Sequence, residues 1–294
     1  MKKLLLLIVC CLPLAVAAEV IYEKKSLYRN ISVIDQGGEL CMRFTLRRTR
    51  FSSMQSCMYK KDHDLLVFDY AKLTFAGLLM NPNPKRVLIA GLGGGSLARV
   101  FREAFPDAIV DAVEIDSAVI DVADRFFDFR AGGNINIIEQ DARVFVKRQS
   151  LHGKQYDYIV LDAFNGEYIP EHLMTREFLE ECRSLLTADG VLVANTFSLS
   201  RLYDAESVTY EQAFGWLVNV KQETGNRIIL TSRAAMPGHK ELRQAAASFP
   251  VDLSRFGLDL KWVARQIRLY PDWNRNARPL TDQYNPANLL NTPQ

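Results

Sequence analysis

Three acidic residues stand where apolar runs end: Glu114 after Ile109 to Val113, Asp141 after the run at 135–138 and Gln140, and Asp162 after Tyr158 to Leu161. Each type suits a distinct task. A glutamate there can hold the two hydroxyls of a ribose. Asp141 can accept from an adenine amino group while Ala142 offers a backbone N–H to a ring nitrogen, and Asp162 can take a proton from a nucleophile or attract a sulfonium. Ahead of them runs Gly91-Leu-Gly93-Gly94-Gly95, a turn that aims free N–H groups at a ligand. The set describes a nucleoside site, and its spacing alone does not choose between a nicotinamide cofactor and adenosylmethionine. Plainer readings stand beside these: Asp141 as the N-cap of a helix, Asp162 as an anchor for its loop.

Strands must bring such residues to one rim. Val87 to Ala90 is apolar without alternation, as for a parallel strand covered on both faces. Strands are predicted at 87–90, 109–114, 135–138, 156–161 and 191–196, alternating with helices at about 97–104, 117–127, 141–149, 171–187 and 204–214. That pattern implies a doubly wound α/β fold with its ligand at the carboxyl ends of the strands. Two further strands, 216–220 and 227–231, turn through Thr224-Gly225-Asn226 as an antiparallel edge pair. Seven strands ending in a hairpin indicate the class I adenosylmethionine-methyltransferase type of sheet. Upstream, alternating runs at Ile31–Ile34, Leu40–Leu46 and Ser56–Tyr59, with a basic tip at Arg47 to Arg50, predict a small antiparallel β module. The chain divides into a leader (1–17), the β module (18–65), a linker helix (66–84) and a nucleoside-binding domain with a C-terminal helical closure (85–294).

The leader has Lys2 and Lys3, an apolar run from Leu4, and Ala15-Val16-Ala17, the pattern of a cleaved secretory signal. A retained anchor is the other reading, but the run is short for a membrane span. Export predicts a periplasmic or secreted protein with no stable membrane insertion after cleavage. The full chain carries 36 basic and 34 acidic residues. Without Lys2 and Lys3 the basic residues also number 34, which leaves no field suited to nucleic acid. Cys41 and Cys57 flank a predicted hairpin and are either cross-strand disulfide partners or two half-buried thiols; Cys182 belongs to the core of a helix. His63, His152, His172 and His239 are scattered and read as surface or packing residues. No metal set and no Ser/His/Asp set is spaced for chemistry.

Val87 to Gly95, Val113-Glu-Ile-Asp116, Gln140-Asp-Ala142, Tyr156 to Asp162 and Ile169 to Phe178 together resemble the spermidine synthase (polyamine aminopropyltransferase) family. The resemblance extends to Ser26–Ile31 and Leu280-Thr-Asp282 and covers most of the chain after the leader. It implies nucleoside binding by Gly91, Gly93, Gly94, Gly95, Glu114, Ile115, Asp141, Ala142 and Asp162, with S-adenosylmethionine or its decarboxylated form as co-substrate and a small-molecule amine or other nucleophile as partner. Whether the chain acts as a monomer or a homodimer stays open.

Four departures mark a divergent member. The family acid that holds the aminopropyl amine falls at Gly94, and a second acid that helps deprotonate the attacking amine falls at Asn165. A glutamine that touches the nucleoside falls at Arg29, and the polyamine-holding segment of the linker helix falls at Phe68-Asp69-Tyr70. Losing a carboxylate and gaining a guanidinium disfavours a cationic tail and suits a carboxylate-bearing one. Asn165 cannot act as a general base, so if transfer occurs Asp162, Asp69 or Glu167 must take the proton, or the substrate must arrive already nucleophilic. Three functions fit: a spermidine-synthase-like transferase, an adenosylmethionine-dependent methyltransferase, or a non-catalytic binder of a nucleoside or polyamine. Export sets the chain apart from adenosylmethionine, a cytoplasmic metabolite.

Overall fold

Two sheets carry the chain. The computed structural model describes residues 18–45, 52–165, 168–221 and 225–287. The leader, the basic tip at Arg47 to Arg50, Glu167 and Thr224 lie outside the described residues. Strands β1 (Glu19–Lys25), β2 (Asn30–Asp35), β3 (Glu39–Thr45) and β4 (Ser52–Tyr59) form an antiparallel sheet in chain order. β1 was not among the predicted runs; as an edge strand with an exposed, charged face it lacks the alternation that reveals its neighbours. Cys41 and Cys57 face each other across β3 and β4, are buried, and are joined as a disulfide.

The second sheet holds β5 (Arg86–Ala90), β6 (Ile109–Glu114), β7 (Ile135–Glu139), β8 (Tyr156–Leu161), β9 (Leu186–Phe197), β10 (Val218–Lys221), β11 (Asn226–Ser232) and β12 (Ile267–Arg268). Their spatial order is β12-β10-β11-β9-β8-β5-β6-β7. The seven expected strands are all present, and the two-residue β12 adds an eighth at the edge by pairing with Asn219 and Val220. The five strands from β7 to β9 are parallel, and the last three are antiparallel additions. The order reverses between β5 and β8, so a crevice opens beyond Ala90 and Leu161.

Helices α1 (Asp69–Leu73), α2 (Ser96–Ala104), α3 (Ser117–Phe126), α4 (Ala142–Leu151), α5 (Arg176–Leu185), α6 (Tyr203–Phe214), α7 (His239–Ala247) and α8 (Leu260–Gln266) pack around this sheet. Alternate residues of β5 enter opposite layers. Val87 and Ile89 join Phe101, Leu242 and Val263, while Leu88 and Ala90 join Phe145, Phe178 and Val208. Each fully buried aliphatic side chain contributes about 1.5–3 kcal/mol, so these layers hold the strand ends firmly. The β module docks through Ile31, Val33, Met42 and Phe44 onto Val119 and Val122 of α3.

The linker differs from the predicted continuous helix. Only α1 is α-helical, and Thr74–Leu79 is a 3-10 helix. Tyr158 on β8 explains the change: its hydroxyl donates to the Thr74 carbonyl at 2.6 Å, occupying an acceptor that an α-helix would use internally. The expected helix at 171–187 is likewise two pieces, a 3-10 turn at Glu171–Leu173 and α5, which starts where Thr175 caps the Phe178 N–H.

Candidate active site

The glycine turn positions the cleft because its first residue touches the opposite strand end. Gly91 has φ of 100°, and any Cβ there would lie inside van der Waals contact with the Asp162 carbonyl. Backbone bonds tie the junction: Gly91 N–H donates to the Val113 carbonyl and Asp162 N–H to the Ala90 carbonyl, each at 2.8 Å. Gly91 and Gly93 line the resulting cleft of about 780 Å³; Gly94 and Gly95 pack behind it. Gly94 is closely packed: a Cβ there would fall 2.7 Å from Ser56 Oγ and 2.9 Å from the Phe127 ring, so one of them would have to shift.

Glu114, Asp141, Ala142 and Asp162 all reach the cleft, as the spacing predicts, and so does Ile115, which only the resemblance implied. Glu114 accepts from Leu92 N–H at 3.1 Å and Asp116 N–H at 3.0 Å, so its carboxylate is fixed at both oxygens. Burial raises its pKa against the opposing pull of Arg29. Asp141 both caps and lines the cleft: its Oδ1 accepts from Val144 N–H at 2.9 Å. Its Oδ2 lies 2.7 Å from His172 Nε2, and that bond holds the carboxyl below its usual range. His172 is exposed at the surface, as expected, and the turn after β8 also carries it onto the cleft wall. Burial pushes the Asp162 carboxyl up to about 7, opposed by a 2.9 Å bond from Asn195 Nδ2.

Arg29 lines the same cleft and is buried. One guanidinium nitrogen donates to the Phe164 carbonyl at 2.8 Å, and the group sits 4.5 Å over the Phe44 ring. Its Nε is 3.5 Å from Asp116 but has no hydrogen-bond partner. Phe68 and Tyr70 line the cleft with stacked rings. Asp69 does not; it is half-exposed and holds Lys72 at 3.0 Å, because successive residues of α1 face different directions. Asn165 reaches the cleft, but its Oδ1 accepts from Tyr168 N–H at 3.1 Å and shapes the loop.

Asn195, Phe197, Phe164, Asn226, Gln55 and Ser56 complete the wall and were not singled out in the sequence. One signal could have found two of them. Asn195 and Phe197 end β9 as Glu114 ends β6, and Asn226 begins the antiparallel β11 at the same rim. Among the described lining residues three carboxylates, Glu114, Asp141 and Asp162, face one guanidinium, Arg29, which favours a ligand with positive charge.

Residues 70–221 match the spermine/spermidine synthase domain, about half of the chain. A polyamine aminopropyltransferase of Vibrio vulnificus is 47% identical over 92% of this chain and 91% of its own length. The chain belongs to the spermine/spermidine synthase family. Two solved structures share the fold. A probable spermidine synthase from Corynebacterium glutamicum has a TM-score of 0.67 at 18% identity, covering 90% of this chain and 97% of that one. Human methyltransferase-like protein 13, solved in complex with SAH, has a TM-score of 0.56 at 24% identity, covering 70% and 96%. The resemblance read from Val87 to Gly95 and from the strand-end acids is thus a family relationship, and the chain is of transferase descent.

Proposed function

We propose that the protein is an alkyl transferase of the aminopropyltransferase type, which binds a sulfonium nucleoside of the adenosylmethionine kind and passes its alkyl tail to an amine. Support comes from the 47% identical aminopropyltransferase and from the cleft itself. Glu114 takes the ribose hydroxyls, while Asp141 and Ala142 take the adenine edge. The amine nitrogen attacks the carbon next to sulfur, the C–S bond breaks with its electron pair left on sulfur as a thioether, and the ammonium proton passes to Asp162. The observation that carries this reading is Asp162: a carboxyl at the β5–β8 switch point, raised to about 7, is matched to accepting a proton near neutrality.

The test is Asp162→Asn. The transfer rate should fall by about 10²–10⁴-fold with nucleoside affinity retained. Because the acid form is stabilised up to about 7, wild-type kcat/KM should rise with pH through that value and then level off. A rate unchanged by Asp162→Asn excludes Asp162 as the base.

A second reading, methyl transfer from intact adenosylmethionine, is favoured by the tail end of the cleft. An acid at position 94 would have to displace Ser56 and the Phe127 ring, and Arg29 sets a guanidinium on the cleft wall. A ligand carboxylate in the cleft would be attracted by that guanidinium. We further propose export to the periplasm or medium, supported by the leader's pattern and the Cys41–Cys57 bridge.

A further inference from the structure

Behind the proposed base runs a line of two side-chain amides. Asn226 on β11 donates from Nδ2 to Asn195 Oδ1 at 3.0 Å, and Asn195 on β9 donates from Nδ2 to Asp162 Oδ1 at 2.9 Å. The direction of this line is set at its carboxylate end. An ionised carboxylate only accepts, so Asn195 must present its NH₂ there and its carbonyl must look back toward Asn226. Asn195 is itself buried, at 4% exposure, so water is a poor substitute for either contact. Asp162 Oδ2 has no hydrogen-bond partner among the described residues and shares the cleft with Phe68 and Tyr70.

We infer that Asn195 is a positioning residue for the base: held in one orientation by Asn226, its amide fixes Asp162 Oδ1, stabilises the ionised form, and leaves Oδ2 for the acceptor amine. The inference rests on Asp162 being the base of the proposed transfer. It also gives the antiparallel β11 a part in the site, since only a strand running against β9 puts its first side chain at this rim.

The other titratable and charged groups that line the same cleft are Tyr70 on α1, Tyr28 and Arg29 just before β2, Glu114 at the end of β6, Tyr168 in the loop after β8, and Asp141 with His172 farther along. Glu206 on α6 lines a small second cavity with Asn195 and Tyr210. None of these donates a hydrogen bond to Asp162, so Asn195 is the single neutral donor opposing the effect of burial among the described residues.

The experiment follows the carboxyl of Asp162 by ¹³C NMR in the full chain labelled at the aspartate side-chain carbon, with Asp162→Asn identifying the resonance. In Asn195→Leu its titration should move upward by about one to two pH units, the loss of one hydrogen bond to a charged group. The acid limb of the transfer rate should move with it while methylthioadenosine affinity stays unchanged. Asn226→Ser should shift the same titration in the same direction by less, and carries the test if Asn195→Leu does not fold. An unmoved or lowered titration overturns the inference, as does a uniform loss of rate with an unshifted profile. The two failures are separable: if Asp162→Asn leaves transfer intact, the base assignment falls, whereas the resonance still reports on Asn195.

Discussion

Arg29 concentrates the question of which tail the cleft accepts. Its guanidinium is buried, stacked on Phe44 and faced by Asp116, and the residue lines the cleft. Such a group gains from a ligand carboxylate and disfavours a ligand ammonium, because attraction and repulsion are both strong away from water. Arg29→Gln should therefore reduce affinity for adenosylmethionine by about tenfold or more, the worth of a charged hydrogen bond, and leave the decarboxylated form unaffected or improved. Calorimetry on the two ligands checks this; equal affinities that do not change in the variant contradict it. Residue identity made this change of charge readable in the sequence. What it concealed was Asp116, which already compensates Arg29, and the close packing around Gly94, since neither Ser56 nor Phe127 is near it in the chain.

Strand ends decided most of the site, and strand ends are what periodicity reveals. The runs Ile109 to Val113 and Tyr158 to Leu161 located Glu114 and Asp162 because a parallel strand must deliver its next residue to the common rim. Less was legible where a tertiary contact overrides local pattern. Tyr158 takes the Thr74 carbonyl and turns half the linker into a 3-10 helix, which no periodicity within 65–79 encodes. His172 reached the cleft only because the turn at Glu171–Leu173 bends the chain back over Asp141. In the β module the open alternatives for Cys41 and Cys57 were resolved by register, since the two residues are direct cross-strand partners. Their bridge ties β3 to β4, whose Phe44 and Ser56 form part of the cleft wall. Non-reducing mass spectrometry of protein recovered outside the cytoplasm should find one bridge between Cys41 and Cys57, one free thiol at Cys182, and an N-terminus just after Ala17. Two free thiols in the hairpin, or a retained Lys2 and Lys3, would contradict the export proposal. Cys41→Ser should lower unfolding free energy by about 2–4 kcal/mol, as for a typical bridge.

At the level of the whole molecule both sheets contribute to one cleft. The parallel strands and α4 supply Glu114, Asp141, Ala142 and Asn195 to the cleft, and the antiparallel β4 and β11 add Gln55, Ser56 and Asn226. On the proposed reading, one part of the cleft keeps a nucleoside fixed while the residues around Asp162 choose which bond to sulfur breaks. Family membership supports the first of these and does not choose the second. The decisive measurement is the identity of the nucleoside product when the chain without its leader is incubated with adenosylmethionine or its decarboxylated form and a diamine. Transfer of the alkyl tail leaves methylthioadenosine, and its appearance, lost in Asp162→Asn, is the predicted result. S-adenosylhomocysteine would show that the methyl group moved instead, and no nucleoside product from either donor would contradict catalysis by this cleft.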